Sequence, residues 1–241
     1  MKHAFAWLGA ALLAAACSPE APTEQRTAIE HGRDLFASRA TTEASSNVFS
    51  CATCHRAGPD PADTRILPGA DLGGVTQRPT FWGGAYVDLL RAMNDCRTFF
   101  MAARRPWTPE DEDARAMWAW LESLPPSAPG AQPFTLPPVA SDLPAGDKGR
   151  GAVVYDRACA SCHGAPHTAE NRLTSRAPKL PEESVAYFGS LGFDRTAIRT
   201  TFVEKVRHGP FLGLYGIMPP LSREALSDAD LGALLAFLEL Y

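Results

Sequence analysis

The 241-residue chain predicts an all-α protein made of two similar helical halves, and three observations carry that expectation. The pattern Cys-x-x-Cys-His occurs in "FSCATCHRAG" (49–58) and returns in "RACASCHGAP" (157–166). The stretch "SDADLGALLAFLELY" (227–241) lies over "EDEDARAMWAWLESL" (110–124) at a constant offset of 117, and a repeat of this kind decides architecture before any single helix does. No strand pattern competes, because the glycine- and proline-rich stretches "LPGADLGGVTQRPTFWGG" and "GPFLGLYGIMPPL" read as loops. With 45% apolar and 21% charged residues the chain can bury a core, and a net charge of −4 argues against nucleic acid and against a strongly basic docking face.

The first residues, "MKHAFAWLGAALLAAAC", place Lys2 before an apolar run from Ala4 to Ala16 that is too short to span a bilayer, so residues 1–16 read as an export signal. The segment "LLAAAC" resembles a bacterial lipoprotein box, with Cys17 as the lipidated residue, 17–26 as a polar tether and the membrane as a partner through the anchor. Ala14 stands where such boxes usually carry Leu, and ordinary cleavage at an Ala-x-Ala site would instead release a soluble protein. Either way the mature protein works outside the cytoplasm, in the periplasm.

Residues 27–124 form the expected first domain. Gly32 and Phe36 open it in a Gly-x-x-x-aromatic pattern, and Gly151 with Tyr155 repeats that pattern in the second domain, 147–241. The segment Pro109–Leu124 predicts a helix, with Thr108 as N-cap, Pro109 in the first turn, acids at Glu110 to Asp113, and Ala114, Met117, Trp118 and Leu121 as the apolar stripe. The proline-dense stretch 125–146 reads as an extended linker. In the last segment Ser227 caps a helix whose buried stripe is Leu231, Leu234, Leu235 and Leu238.

This context decides what the two motifs hold. A zinc site needs four ligands, commonly two close pairs, and neither motif has a second pair in its own half. A thioredoxin-type dithiol belongs in an α/β pattern, which is absent. Covalent haem attachment fits: Cys51 and Cys54, and again Cys159 and Cys162, would bind haem vinyl groups, and His55 and His163 would each sit under an iron. Two covalently bound haem c groups are therefore expected. Downstream of the second motif, "GIMPPL" puts Met218 in a proline-stiffened loop as the second axial ligand.

From residue 27 onward the chain resembles the class I cytochrome c family, in which a short first helix with Gly and an aromatic leads to Cys-x-x-Cys-His and a Met-Pro loop precedes the last helix. The resemblance implies two tandem cytochrome c-like domains with long loops around covalently bound haem. It also implies close helix crossings at Gly32 with Trp120 and at Gly151 with Phe237. In the first domain the repeat offset points to Met101 as the distal ligand, while Cys96 stays open beside it. Met93 and Met117 read as core residues. That domain departs from the family, with Ala102 in place of the proline and about eleven extra residues before Cys51.

Thioether ligation favours ferrous iron, and two filled axial positions leave no open site. The expected function is single-electron transfer between a donor and an acceptor redox protein. His31 and His167 read as solvated, and His208 as lining a haem pocket. The alternative is an enzyme: "MNDCR" resembles a stretch of sulfur-oxidising dihaem cytochromes, the thiosulfate dehydrogenases and the Sox type, in which Cys96 would ligate the active-site haem.

Overall fold

The computed structural model describes residues 27–127, 129–138, 143–211 and 216–240; the expected export signal, tether and Cys17 lie outside the described residues. The described residues are all-α. In chain order the helices are α1 (Ala28–Ala37), α2 (Cys51–Cys54), α3 (Leu89–Phe99), α4 (Glu112–Ser123), α5 (Lys148–Ala158), α6 (Ala160–His163), α7 (Glu182–Ser190), α8 (Arg195–His208) and α9 (Asp228–Phe237). Long loops join them, and the one strand-like feature among the described residues is an isolated bridge between Phe81 and Tyr86.

Helix α1 begins at a capping box. The Thr27 hydroxyl accepts the Glu30 N–H at 3.2 Å while the Glu30 carboxylate accepts the Thr27 N–H at 2.9 Å. Its inner face meets α4 at Gly32, where an added Cβ would lie 2.6 Å from the Trp120 Cβ and 2.7 Å from the Ala116 carbonyl carbon. Only glycine permits so close an approach. Beside it the Phe36 and Trp120 rings stand 4.5 Å apart. The second half repeats this crossing between α5 and α9: a Cβ on Gly151 would lie 2.6 Å from the Phe237 Cβ, and the Tyr155 and Phe237 rings are 5.7 Å apart.

Two details of α4 differ from the sequence expectation. The helix starts at Glu112 with Asp111 at the N-cap, not at Pro109 with Thr108. Asp111 accepts the Thr108 N–H at 2.7 Å and a fork from Arg105 at 3.0–3.1 Å, so a turn closes first and the helix begins after it. Trp118 is 41% exposed; the buried face is Ala114, Ala116, Met117, Trp120 and Leu121. Helix α9 follows expectation, with Ser227 accepting the Asp230 N–H and Leu231, Leu234, Leu235 and Leu238 at 1% exposure or less. Each leucine so buried contributes roughly 1.5–3 kcal/mol.

Three apolar clusters form the interior. One is built from the first half around Phe36, Met117, Trp120 and Leu121, and another from the second half around Tyr155, Val206 and the α9 leucines. The third joins them: Phe49, Phe100 and Met101 of the first half pack with Cys162, Leu173, Phe211 and Ile217 of the second. Hydrogen bonds also cross between the halves, from the Ile66 N–H to the Arg157 carbonyl at 2.8 Å and from Arg176 to the Ser46 carbonyl at 2.5 Å. The described linker residues are docked, with the Thr135 N–H held by Glu224 at 2.8 Å and the Pro137 carbonyl held by His208 at 2.6 Å.

Candidate functional site

The first motif lies on α2 and the turn after it, at the wall of a cavity of about 450 Å³. That volume lies within the usual range for a cofactor pocket. Cys51, Cys54 and His55 line it from one side, and Met93, Cys96 and Met101 also face it. The structure therefore brings both candidate distal ligands to the cavity that His55 lines. Met93 and Met117, expected only as core, line it too. Residues of the linker and of the loop after Met218, among them Phe134, Pro219 and Pro220, close its rim.

His55 is fixed by its surroundings. Its Nδ1–H donates to the Ala70 carbonyl at 2.8 Å, fifteen residues downstream. Gly69 lies flat against the ring, and its own N–H is tied to the Cys54 carbonyl at 2.9 Å. His163, buried on α6, does the same: its Nδ1–H donates to the Pro178 carbonyl at 2.9 Å, again fifteen residues downstream. Burial holds both imidazoles below the ordinary histidine range, against the opposing effect of the carbonyl. Each ring is thus neutral, with its proton on Nδ1 and a lone pair on Nε2, the form that a metal ligand takes when its other nitrogen is anchored.

The thiols are neutral as well. Burial pushes Cys51 up to about 11 and Cys159 up to about 12, and raises Cys54 and Cys162. Cys54 also feels the sulfurs of Cys96 and Cys162, so the two motifs face the same region. Among the described residues no three His, Cys, Asp or Glu side chains gather as a metal site. Paired thiols beside an anchored imidazole and an apolar cavity fit covalently held haem, with iron ligation completed from the far wall.

The surroundings of the candidate distal ligands differ between the halves. Met101 is 4% exposed, its carbonyl accepts the Thr42 hydroxyl at 2.9 Å, and the chain leaves it through Ala102 at φ +55°, a left-handed turn in place of the proline of the other half. Burial pushes the Cys96 thiol up to about 12, against the opposing effect of Trp82. Trp82 itself is held at φ +51° and stacks on Phe100 at 6.3 Å. Such backbone values are rare for a bulky residue and gather at functional sites. In the second half Met218 is half-buried against the cluster that contains Cys159. Its loop is pinned to α8 by the Leu221 N–H on the Val206 carbonyl at 2.8 Å, and Gly209 at φ +57° lets the end of α8 pass beneath it.

The remaining histidines depart from expectation. His31 is not simply solvated, since Nε2 meets Asp113 at 2.7 Å and ties α1 to α4. His167 is half-exposed and pairs with Glu182 at 2.7 Å. His208 is 3% exposed and braces the linker between Pro137 and Glu204. Sequence reasoning missed Gly69, the carbonyls of Ala70 and Pro178, Trp82, and the buried arginines Arg78 and Arg97 that line the first cavity. The equal distance from each motif histidine to a proline-containing segment was the available signal.

Residues 146–238 match the family model described as cytochrome C oxidase, cbb3-type, subunit III. The match supports a cytochrome c reading of the second half, and a cytochrome c domain implies covalently bound haem c. No curated protein sequence matches the chain. Among solved structures, the "as isolated" form of the thiosulfate dehydrogenase TsdBA from Marichromatium purpuratum aligns at 16% identity with a TM-score of 0.42, covering 94% of this chain. The chain spans about half the length of that protein, 48%.

Proposed function

We propose that the chain is an exported dihaem cytochrome that passes single electrons between redox proteins, with one haem c in each of the domains 27–124 and 147–241. The observation that carries this reading is the repeated anchoring of His55 and His163, each with Nδ1 on a carbonyl fifteen residues downstream and a cysteine pair immediately before it. In each motif the two cysteines would hold the haem covalently, each S–H adding across a separate vinyl group, sulfur to one carbon and hydrogen to the other, with no external oxidant. Nε2 of His55 and of His163, and the sulfurs of Met101 and Met218, would be the groups that hold the iron of such a haem. Bound haem supplies a one-electron couple between ferric and ferrous iron. The protein would supply the groups that hold the iron, lines the first cavity mainly with apolar side chains, and packs Cys162 beside Met101 and Phe100, which supports a short path between the sites.

Intact mass of the mature protein, made with haem-maturation machinery, tests this: two haems above the polypeptide are expected, and one or none overturns the reading. The proposal includes a lipid anchor at Cys17. Wild-type protein then partitions with membranes and Cys17→Ala does not, because acyl chains supply the affinity.

A second reading is supported by Cys96, which shares the first cavity with His55. With Cys96 as ligand in place of Met101, the protein would be a sulfur-oxidising enzyme whose second haem carries electrons away. A thiolate-type ferric spectrum that vanishes in Cys96→Ser would establish it.

A further inference from the structure

Helix α7 and the turn that follows it carry an apolar outer surface. Residues 184–193, "SVAYFGSLGF", include no charged side chain, although 21% of the whole chain is charged. Tyr187 is 60% exposed and Leu191 56%, with Val185 and Phe193 exposed beside them. Phe188 packs inward, against the cluster that contains Cys159 and Met218. Tyr187 and Leu191 sit about 60–100° round the helix from it, so their exposure belongs to the outer surface and not to the second site. The tip stands clear of its surroundings: among the described residues a Cβ added at Gly189 or Gly192 would meet nothing within 4 Å. Its own contacts hold its shape. The Phe188 and Phe193 rings stack at 5.7 Å, and the Phe193 N–H donates to the Phe188 carbonyl at 3.1 Å. The carboxylates that flank the run are engaged, Glu182 by His167 at 2.7 Å, Glu183 by Arg172 at 3.6 Å, and Asp194 by the Ala197 N–H at 2.8 Å.

A contiguous apolar patch of this kind marks a partner or a membrane. The start of the chain favours lipid. On the anchored reading residues 17–26 join Cys17 to Thr27, and such a tether reaches at most about 33–36 Å. The folded body is then held at a bilayer, where even a weakly binding face acts at high effective concentration. Aromatic and aliphatic side chains bordered by engaged acids match the headgroup boundary, which takes up Tyr, Phe and Leu and repels unpaired negative charge. We propose that the tip formed by α7 and its following turn is a membrane-docking surface that seats Tyr187, Leu191 and Phe193 in the headgroup boundary of a phospholipid bilayer. The proposal rests on the Cys17-anchored reading. Docking there turns the second half toward the bilayer, because the segment leading into α7 carries the Pro178 carbonyl that holds His163.

The test uses the mature Cys17→Ser holoprotein, exported behind a general signal peptide so that no acyl chain contributes. It should co-sediment with vesicles of phosphatidylethanolamine and phosphatidylglycerol. Tyr187→Ser/Leu191→Ser should weaken that partition at least about tenfold, the minimum expected when such a side chain no longer leaves water. Val87→Ser, at an apolar residue of the first half that is 80% exposed, should leave it unchanged, and haem content should be equal in all three. No vesicle binding, equal binding by Tyr187→Ser/Leu191→Ser, or an equal loss in Val87→Ser overturns the docking surface. A dimer that this double variant abolishes, with no vesicle binding, overturns it in favour of a second copy of the chain. Failure of the anchor is read separately: wild-type protein whose intact mass lacks acyl chains overturns the lipoprotein reading, whatever the vesicles show.

Discussion

On the proposed two-haem reading, replacing Gly69 by alanine should disable the first haem site while leaving the second intact. The added Cβ would overlap the His55 ring, lying 2.7 Å from Nε2 and nearer still to Cε1 and Nδ1. The backbone cannot step back, because the Gly69 N–H is held by the Cys54 carbonyl and the Leu72 N–H by the Arg56 carbonyl, both at 2.9 Å. The ring must therefore move, and an ordinary contact near 3.4 Å from Cε1, which would lie at 2.2 Å, requires a displacement of about 1.2 Å. Overpacking of this kind costs about 1–3 kcal/mol. Losing the bond from Nδ1 to the Ala70 carbonyl adds about 0.5–1.5 kcal/mol. Together these predict a destabilisation of about 2–4 kcal/mol and a misdirected Nε2. The assay is haem content, ferric absorption spectrum and thermal unfolding of Gly69→Ala beside Gly58→Ala, whose Cβ would meet nothing within 4 Å. One haem should lose its low-spin character in Gly69→Ala, and neither should in Gly58→Ala. Two unperturbed haems and an unchanged Tm in Gly69→Ala would refute the claim that Gly69 positions His55.

Met218→His should keep a low-spin second haem at a lower potential, since imidazole stabilises ferric iron more than thioether does, and Met218→Ala should admit exogenous ligands; potentials unchanged in both would exclude Met218. Met101→Ala should disturb the first haem's spectrum while Cys96→Ser leaves both haems alone, and the opposite pattern would transfer the ligand role to Cys96. Gly151→Ala should destabilise the second half by about 1–3 kcal/mol in chemical denaturation, because its Cβ would lie 2.6 Å from the Phe237 Cβ, and a denaturation midpoint equal to wild type would exclude a tight crossing.

Much of the fold was legible because its causes are local. The glycines at 32 and 151 and the aromatics four residues later mark the crossings, and the Ser227 cap with its leucine stripe marks α9. Helices α7 and α8 were not legible from apolar spacing. Helix α7 buries none of its residues, and α8 turns Arg207 and His208 inward among its apolar groups, so neither shows a clean stripe. The start of α4 was misplaced because Asp111 can serve either as a first-turn acid or as a cap, and the Arg105 fork chooses between them. At the site, the cysteines and histidines were visible as a motif. The groups that orient them were not, because a backbone carbonyl such as that of Ala70 or Pro178 has no side-chain signature. Arg97 was hidden for a related reason: a lone arginine reads as solvated until the structure shows it buried on the cavity wall.

The rim of the first cavity bears on how far the two halves are interchangeable modules. Gln132, Pro133 and Phe134 come from the linker, and Pro219, Pro220 and Glu224 come from the far end of the chain. A first half excised at residue 124 would carry its cysteines and His55 yet lack part of its wall, exposing Trp82 and Phe100, which now pack against Phe211. Replacing residues 147–241 by a foreign domain would remove Pro219, Pro220 and Glu224 from the wall and leave the first pocket open to water, so the first site is complete only with the second half in place.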